Sequence, residues 1–270
     1  MRPAAGDKAF TGSIPKTYEK YLVPLLFEPY AAELARRLAA RKPARILELA
    51  AGTGVATRAM AKALRSAQIT ATDLNPAMLE TAQAIGTRRP VEWQPADAMQ
   101  LPFPDASFDA VVCQFGVMFF PDKSRAHAEA RRVLKPGGAF LFNVWDRLTD
   151  NEFPDIISNA LAKFFPKDPP RFLVRTPYGY NDRDVIEHDL RAGGFGKPRI
   201  EAVTARSKAA SAREPALGFC QGSPLRAEIE ARDATRLGEA TEFAAQAIAG
   251  MFGKGAVDGR IQALVVTVEK

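Results

Sequence analysis

From residue 44 to residue 143 short apolar runs alternate with longer segments of helical period. That alternation leaves few ways to bury the runs: they lie side by side as parallel strands, with the intervening helices crossing over the sheet. Four runs read as strands, RILELA (45–50), ITATDL (69–74), DAVVCQF (109–115) and AFLFNVW (139–145), and a weaker fifth, VEWQPA (91–96), ends at Pro95. Each is followed by a segment able to start a helix. Residues 53–66 place Val55, Ala59, Met60, Ala63 and Leu64 on one stripe, and Asn75-Pro76 is an N-cap with proline at the first helical position. Residues 122–134 read as a third crossover helix, closed by a turn at Lys135-Pro136-Gly137-Gly138.

The flanks are less regular. Residues 18–41, with Tyr18, Tyr21, Phe27 and Tyr30, read as one or two helices packed outside the sheet. After Trp145 the alternation breaks: 151–165 looks helical, and 166–180 is rich in proline and aromatic residues. We expect that stretch to be a mobile lid with few apolar contacts. A helix at 182–192 closes at Gly193-Gly194, then come a strand at 198–206, a largely helical stretch from 211 to 251 and a last strand at 261–269.

Composition narrows the class. At 270 residues, 47% hydrophobic and 25% charged, the chain is a folded globular protein rather than a disordered or collagenous one. A net charge of +6 is modest for this length, and the pairs Arg36-Arg37, Arg88-Arg89 and Arg131-Arg132 fall on separate segments, so they read as solvated faces and not as a nucleic-acid track. Cys113 and Cys220 form neither a CxxC pair nor part of a zinc-ligand cluster. The opening MRPAAGDKAFTGS lacks the apolar core of a secretory leader, and the most apolar run, 110–120, is far shorter than the roughly 20 residues of a membrane span. The expectation is a cytoplasmic protein with no metal and no membrane span.

The sharpest local feature is ILELAAGTGVAT (46–57), in which a buried strand runs into Gly52-Thr53-Gly54 and then a helix, so that backbone N–H groups are offered to a ligand. A dinucleotide fingerprint would continue to a third glycine, and that position is Thr57. Glu48 places a carboxylate where it repels a pyrophosphate and suits a cationic, amino-acid-like ligand. Asp73 ends the second strand where open parallel sheets put an acid to accept both ribose hydroxyls. Asp97-Ala98 closes the third strand, in reach of an adenine amino group or simply as turn chemistry.

ILELAAGTG, TATDLNPAML (70–79), PADAMQLPFPDASFDAVVCQFGVMFF (95–120) and RVLKPGGAFLFNVWDR (132–147) resemble, in order, the motifs of class I S-adenosylmethionine-dependent methyltransferases, within the group that includes the ubiquinone and menaquinone C-methyltransferases. The resemblance implies a Rossmann-like α/β fold: a seven-stranded, mostly parallel sheet with flanking helices, the last strand antiparallel, plus a helical cap. It implies N-terminal helices (1–43) covering the cofactor, a binding core (44–146), a cap and crossover helix (147–197) and the last two strands with inserted helices (198–270), all one structural domain. It further implies that backbone at Ala50, Gly52 and Gly54 holds the methionine part of S-adenosylmethionine, with Glu48 reaching the amino group. Asp73 then binds the ribose hydroxyls, Leu74 and Met78 flank the adenine, Asp97 and Ala98 address its edge, Gln114 offers backbone near the amino group, and Tyr21 closes over the cofactor. Ala51 departs from the pattern, since many relatives carry a further glycine or Cys-Gly there.

Methyl transfer from a sulfonium to a small organic acceptor, yielding S-adenosylhomocysteine, is an in-line displacement that positioning and desolvation accelerate without a metal. Candidates for the acceptor pocket are Phe115, Asn143 and Trp145 at strand ends, with Met118 and Phe119 beside them and Tyr178 and Tyr180 from the aromatic stretch. His127 and His188 both fall inside predicted helices and are expected to be satisfied or surface residues that catalysis does not use. Three rivals share parts of this reading: an RNA-modifying methyltransferase, a nicotinamide-dependent oxidoreductase, and a non-catalytic S-adenosylmethionine-binding protein.

Overall fold

Each apolar run becomes a strand: β1 (Arg45–Glu48), β2 (Gln68–Asp73), β3 (Glu92–Pro95), β4 (Phe108–Gln114), β5 (Leu134–Trp145), β6 (Arg199–Ala209) and β7 (Val257–Glu269). The structure is a computed structural model and describes residues 14–270, so the opening segment on which the leader expectation rests lies outside the described residues. The strands form one sheet in the order β3-β2-β1-β4-β5-β7-β6. The first five pair parallel, with Ile46 level with Ile69 and Ala110, and Gln114 level with Asn143. β7 runs antiparallel to β5 and β6.

The helices are α1 (Ile14–Thr17), continued by a wider π-helical stretch at Tyr18–Phe27, then α2 (Glu28–Arg41), α3 (Val55–Ala63), α4 (Pro76–Ile85), α5 (Lys123–Val133) and α6 (Glu152–Phe164), followed by α7 (Phe172–Arg175), α8 (Arg183–Ala192), α9 (Arg213–Gln221), α10 (Leu225–Asp233) and α11 (Leu237–Phe252). Their starts have local causes. Asn75 Oδ1 accepts from the Ala77 N–H at 3.0 Å ahead of Pro76, and Asp122 and Asp182 cap α5 and α8 in the same way.

Two compact units divide the chain. One comprises the described residues up to Pro29 with Trp145–Gly179 and Thr204–Gln262; the other comprises Tyr30–Val144, Tyr180–Val203 and Ala263–Lys270. In the first, buried Asn151 ties the start of α6 to β7, its amide donating to the carbonyl of Gln262 and accepting from the Gln262 N–H at 3.0 Å. Cys220 is buried there in α9, and burial pushes its thiol up to about 12. In the second, Leu34 and Leu38 of α2 and Met60 of α3 pack on one face of the sheet, over Ile46, Ile69, Ala110, Val112, Ala139 and Leu141. Cys113 is buried in β4.

Three expectations are corrected. Lys135-Pro136-Gly137-Gly138 is not a turn before the strand. α5 stops at Val133, β5 begins at Leu134, and the four residues form a bulge inside it, because Gly137 takes φ +75° and Gly137 and Gly138 pair with the backbone of Lys270. Residues 166–180 do not lack apolar contacts: Phe172, Leu173 and Tyr178 are buried, and Glu228 accepts from the Arg171 and Phe172 N–H groups and from Arg175 Nη2. Lastly, His188 is exposed as expected, but His127 is far from the surface. It is fully buried against Phe140 and Phe142 of β5, ring centroids 5.8 and 5.7 Å away.

Burial holds that imidazole neutral and lowers its pKa to about 4 from 6.5. The unfolded chain therefore takes up a proton that the folded chain refuses. This contribution to stability is full above about pH 6.5 and is lost as pH falls toward 4. Between pH 7.5 and pH 4.5 the native protein should lose about 2 kcal/mol more stability than a His127→Phe variant. Urea unfolding of both at the two pH values measures this, and equal losses contradict it.

Candidate active site

The carboxyl end of β1 turns sharply into α3. The Leu49 N–H donates to the Val112 carbonyl at 2.8 Å and the Ala51 N–H to that of Thr72 at 2.9 Å, so the loop is pinned on both sides by neighbouring strands. Between these bonds Ala50 takes φ +51°, a left-handed value for a side chain with a Cβ. Gly54 caps α3 at φ +83°, where a Cβ would lie 2.9 Å from the Trp93 ring. Phe115 at the end of β4 also takes a left-handed φ, +52°, and the next residue, Gly116, has no room for a Cβ against Ala50 and Cys113. The two loops thus meet in close contact.

Alternate residues of a strand share a face. The face carrying Ile46, Ile69, Ala110 and Ala139 continues through Ala71, Val112 and Leu141, and Glu48 stands level with Ala71 and Val112. One step further along come Asp73, Gln114 and Asn143. An apolar face therefore ends, at the carboxyl side of four adjacent strands, in a row of polar side chains.

Glu48 is only 1% exposed. Its Oε2 accepts from the hydroxyl of Thr57, the residue standing where a dinucleotide fingerprint has glycine. Burial pushes the Glu48 carboxyl up to about 8, opposed by the Thr57 bond and reinforced by the charge of Asp73. Asp73 accepts from the Gly52 and Asn75 N–H groups, both at 2.8 Å, while burial raises its pKa from its ordinary value. Beside it Leu74 is 57% exposed, and buried Met78 reaches to 3.5 Å from where a Gly52 Cβ would stand. Asp97 Oδ1 accepts from the Met99 N–H at 2.9 Å, which makes Asp97-Ala98 a tight turn after β3.

Asn143 is fully buried and neither amide atom has a hydrogen-bond partner, a state that costs about 1–3 kcal/mol per group. Its carbonyl accepts from the Phe115 N–H at 3.0 Å, and the Phe115 ring meets Tyr30 edge-on at 5.3 Å. Met118 is buried in a single 3₁₀ turn, Val117–Phe119. The structure thus brings Glu48, Ala50, Gly52, Gly54, Asp73, Leu74, Met78, Gln114, Phe115 and Asn143 to the strand ends of one unit.

Other candidates lie elsewhere. Tyr180 is in the same unit, but its hydroxyl donates to Asp189 at 2.9 Å and Lys123 lies over its ring. Trp145 and Tyr178 belong to the other unit, their rings 5.7 Å apart. So does Tyr21, which lines a cleft of about 500 Å³ with Pro24, Leu25, Lys208 and Asp258; its closure over a cofactor rests on the resemblance alone. Two further residues stand at this edge: Thr57, which the sequence marks only as not glycine, and Tyr30, which it marks only as an aromatic of the flanking helices and whose hydroxyl donates to the Val203 carbonyl. Among the described residues no group of three His, Cys, Asp or Glu side chains is placed to hold a metal ion, and no helix is long and apolar enough to cross a membrane.

Between its unfolded value near 4.5 and about 8, folded Glu48 keeps a proton that the unfolded chain has released, so stability falls as pH rises through that window. Glutamine keeps the shape without the charge. Glu48→Gln should match the native protein at pH 5 and exceed it by more than about 2 kcal/mol at pH 8.5. Urea unfolding at the two pH values measures the gap, and one that does not widen with pH rules out the buried acid.

A family model described as methyltransferase domain matches residues 47–142, the span that holds most of these side chains. A demethylmenaquinone methyltransferase of Deinococcus radiodurans is 37% identical over 184 residues, covering 61% of this chain and 73% of the relative. A ubiquinone/menaquinone biosynthesis C-methyltransferase of Caulobacter vibrioides is 32% identical over 168 residues, covering 56% of this chain and 67% of the relative. Among solved structures, a Haemonchus contortus phosphoethanolamine N-methyltransferase in complex with S-adenosyl-L-methionine shares the fold, with a TM-score of 0.61 at 18% identity over 98% of this chain and 58% of that one. With the sheet order, the glycine turn and its two acids in place, this chain belongs to the class I S-adenosylmethionine-dependent methyltransferases.

Proposed function

We propose that the protein methylates a small organic acceptor, an oxygen-bearing ring of the quinone type, at carbon, using S-adenosylmethionine. The observation that carries this reading is the polar row that ends the sheet face. Its two acids have environments that fit the two ends of such a cofactor. Glu48, sealed from water and reluctant to ionise, gains most from a buried ammonium partner, and Thr57 holds its orientation. Asp73 has one backbone N–H on each oxygen and lone pairs left over for two hydroxyl donors. A pyrophosphate suits neither acid.

S-adenosylmethionine, when bound, supplies a methyl group on a sulfonium, which passes to the acceptor carbon as the sulfur–methyl bond breaks, its electron pair going to sulfur and the ring proton to solvent. The chain's own part is to bind, orient and exclude water. Backbone at Ala50, Gly52 and Gly54 faces the methionine portion, Leu74 and Met78 flank the adenine, and Asp97 and Ala98 border its edge. Gln114 offers backbone to the amino group, and Phe115 and Asn143 border the acceptor. Support for a quinone-type ring comes from the relatives, whose names give that substrate class.

Calorimetry tests the cofactor. S-adenosylhomocysteine should bind and NAD should not, and Asp73→Ala should weaken binding by roughly 1.5–3 kcal/mol because a charged acceptor of two hydroxyls is lost. Unchanged affinity would remove Asp73 from the ribose. A buried ammonium also lowers the pKa of Glu48, so binding at pH 7 should release up to one proton. Titrations in two buffers of different ionisation enthalpy count it, and in Glu48→Gln the release should disappear; its persistence there would place the proton on another group. Release of S-adenosylhomocysteine with naphthoquinol, phenolic and fatty-acid acceptors then identifies the acceptor class.

A further inference from the structure

The inner row of β5 is apolar up to one residue. Ala139 and Leu141 belong to the cluster packed under α2 and α3, and Asn143 is the next residue on that face. A leucine would continue the row. In its place stands an amide with 0% exposure whose Oδ1 and Nδ2 find no partner. The Tyr30 hydroxyl is committed to the Val203 carbonyl, and the Phe115 N–H takes the backbone oxygen of Asn143 rather than its side chain. Protein cores seldom leave both halves of an amide unmatched, and such a group calls for a partner from outside the chain. The position fits one. Asp73 and Glu48 lie on β2 and β1, whereas Asn143 lies beyond them and beyond β4, away from the end of the row proposed to hold the nucleoside.

We propose that Asn143 positions the methyl acceptor by hydrogen bonding to a ring oxygen next to the carbon that is methylated. This rests on the function proposed above and specifies its acceptor end. Nδ2–H donates to the oxygen and favours the ring whose hydroxyl proton has passed to solvent, which places electron density on the neighbouring carbon, while Oδ1 accepts from a second hydroxyl or from a neutral phenol. Because the amide is sealed in this structure, the acceptor reaches it by displacing a covering side chain.

The test uses the full chain and a soluble naphthoquinol with a free carbon beside one hydroxyl. Asn143→Leu removes the amide and keeps the bulk. It should be at least as stable to urea as the native protein, bind S-adenosylhomocysteine within about twofold, and lose at least about 30-fold in kcat/KM, with Asn143→Ser recovering part of the loss. Calorimetry with the oxidised naphthoquinone on the S-adenosylhomocysteine complex should show the same order of affinities without turnover. A merely structural amide gives the opposite pattern, with Asn143→Leu destabilised and methyl transfer unaffected per folded molecule, and that result overturns the proposal. Native protein that binds S-adenosylhomocysteine but neither binds nor methylates the naphthoquinone pair overturns the acceptor class itself, and this inference with it.

Discussion

A parallel sheet covered by helices on both faces has no wet side, so its strands must be apolar over most of their length and polar groups are confined to the strand ends. The rest of this structure follows from that constraint. Ile46, Ala110, Ala139 and their neighbours fill the face under α2 and α3, and the first polar side chains on that face appear only where β1, β2, β4 and β5 run out. Tight packing of the underlying rows fixes the spacing of Asp73, Glu48, Gln114 and Asn143, so the polar row is positioned by the core residues behind it.

Placing acids at that edge carries an electrostatic cost. Glu48 has a single hydroxyl for company and a second acid nearby, and it resists ionisation. Asp73 is better served by two backbone N–H groups, one of them from the glycine turn itself. The turn and the acid are therefore one device: the same geometry that frees the Gly52 N–H also orients the carboxylate that accepts it. Ala50 and Phe115 both take left-handed φ at this edge, where Gly116, the residue after Phe115, packs against Ala50.

Much of the fold was legible because it depends on patterns with short range. Strand cores, the Asn75-Pro76 start and the Gly52-Thr53-Gly54 turn are each set by a few adjacent residues. What failed depends on distant partners. Lys135–Gly138 has the composition of a turn, and only pairing with Lys270 makes it a bulge. Residues 166–180 have the composition of a loop, and only Glu228, more than fifty positions on, shows that they are packed. His127 looked like an ordinary helix-face histidine because nothing local announces that Phe140 and Phe142 of β5 pack against its ring. In the site, the acids stood out by type and spacing. Thr57 did not, since its partner is known only once α3 is folded back over β1.

The two cysteines, one in each compact unit, have a practical consequence. Cys113 and Cys220 are both sealed from solvent, and burial pushes both thiols well above their ordinary range, so neither is a thiolate at neutral pH while its surroundings stay closed. A maleimide then reacts only with molecules whose surroundings have opened. Mass spectrometry of the two modified peptides yields two separate opening rates from the unaltered chain, one for the strand ends around β4 and one for the helices around α9. The native protein thus carries its own pair of local unfolding clocks, and a ligand that slows only the Cys113 clock reveals which unit it binds.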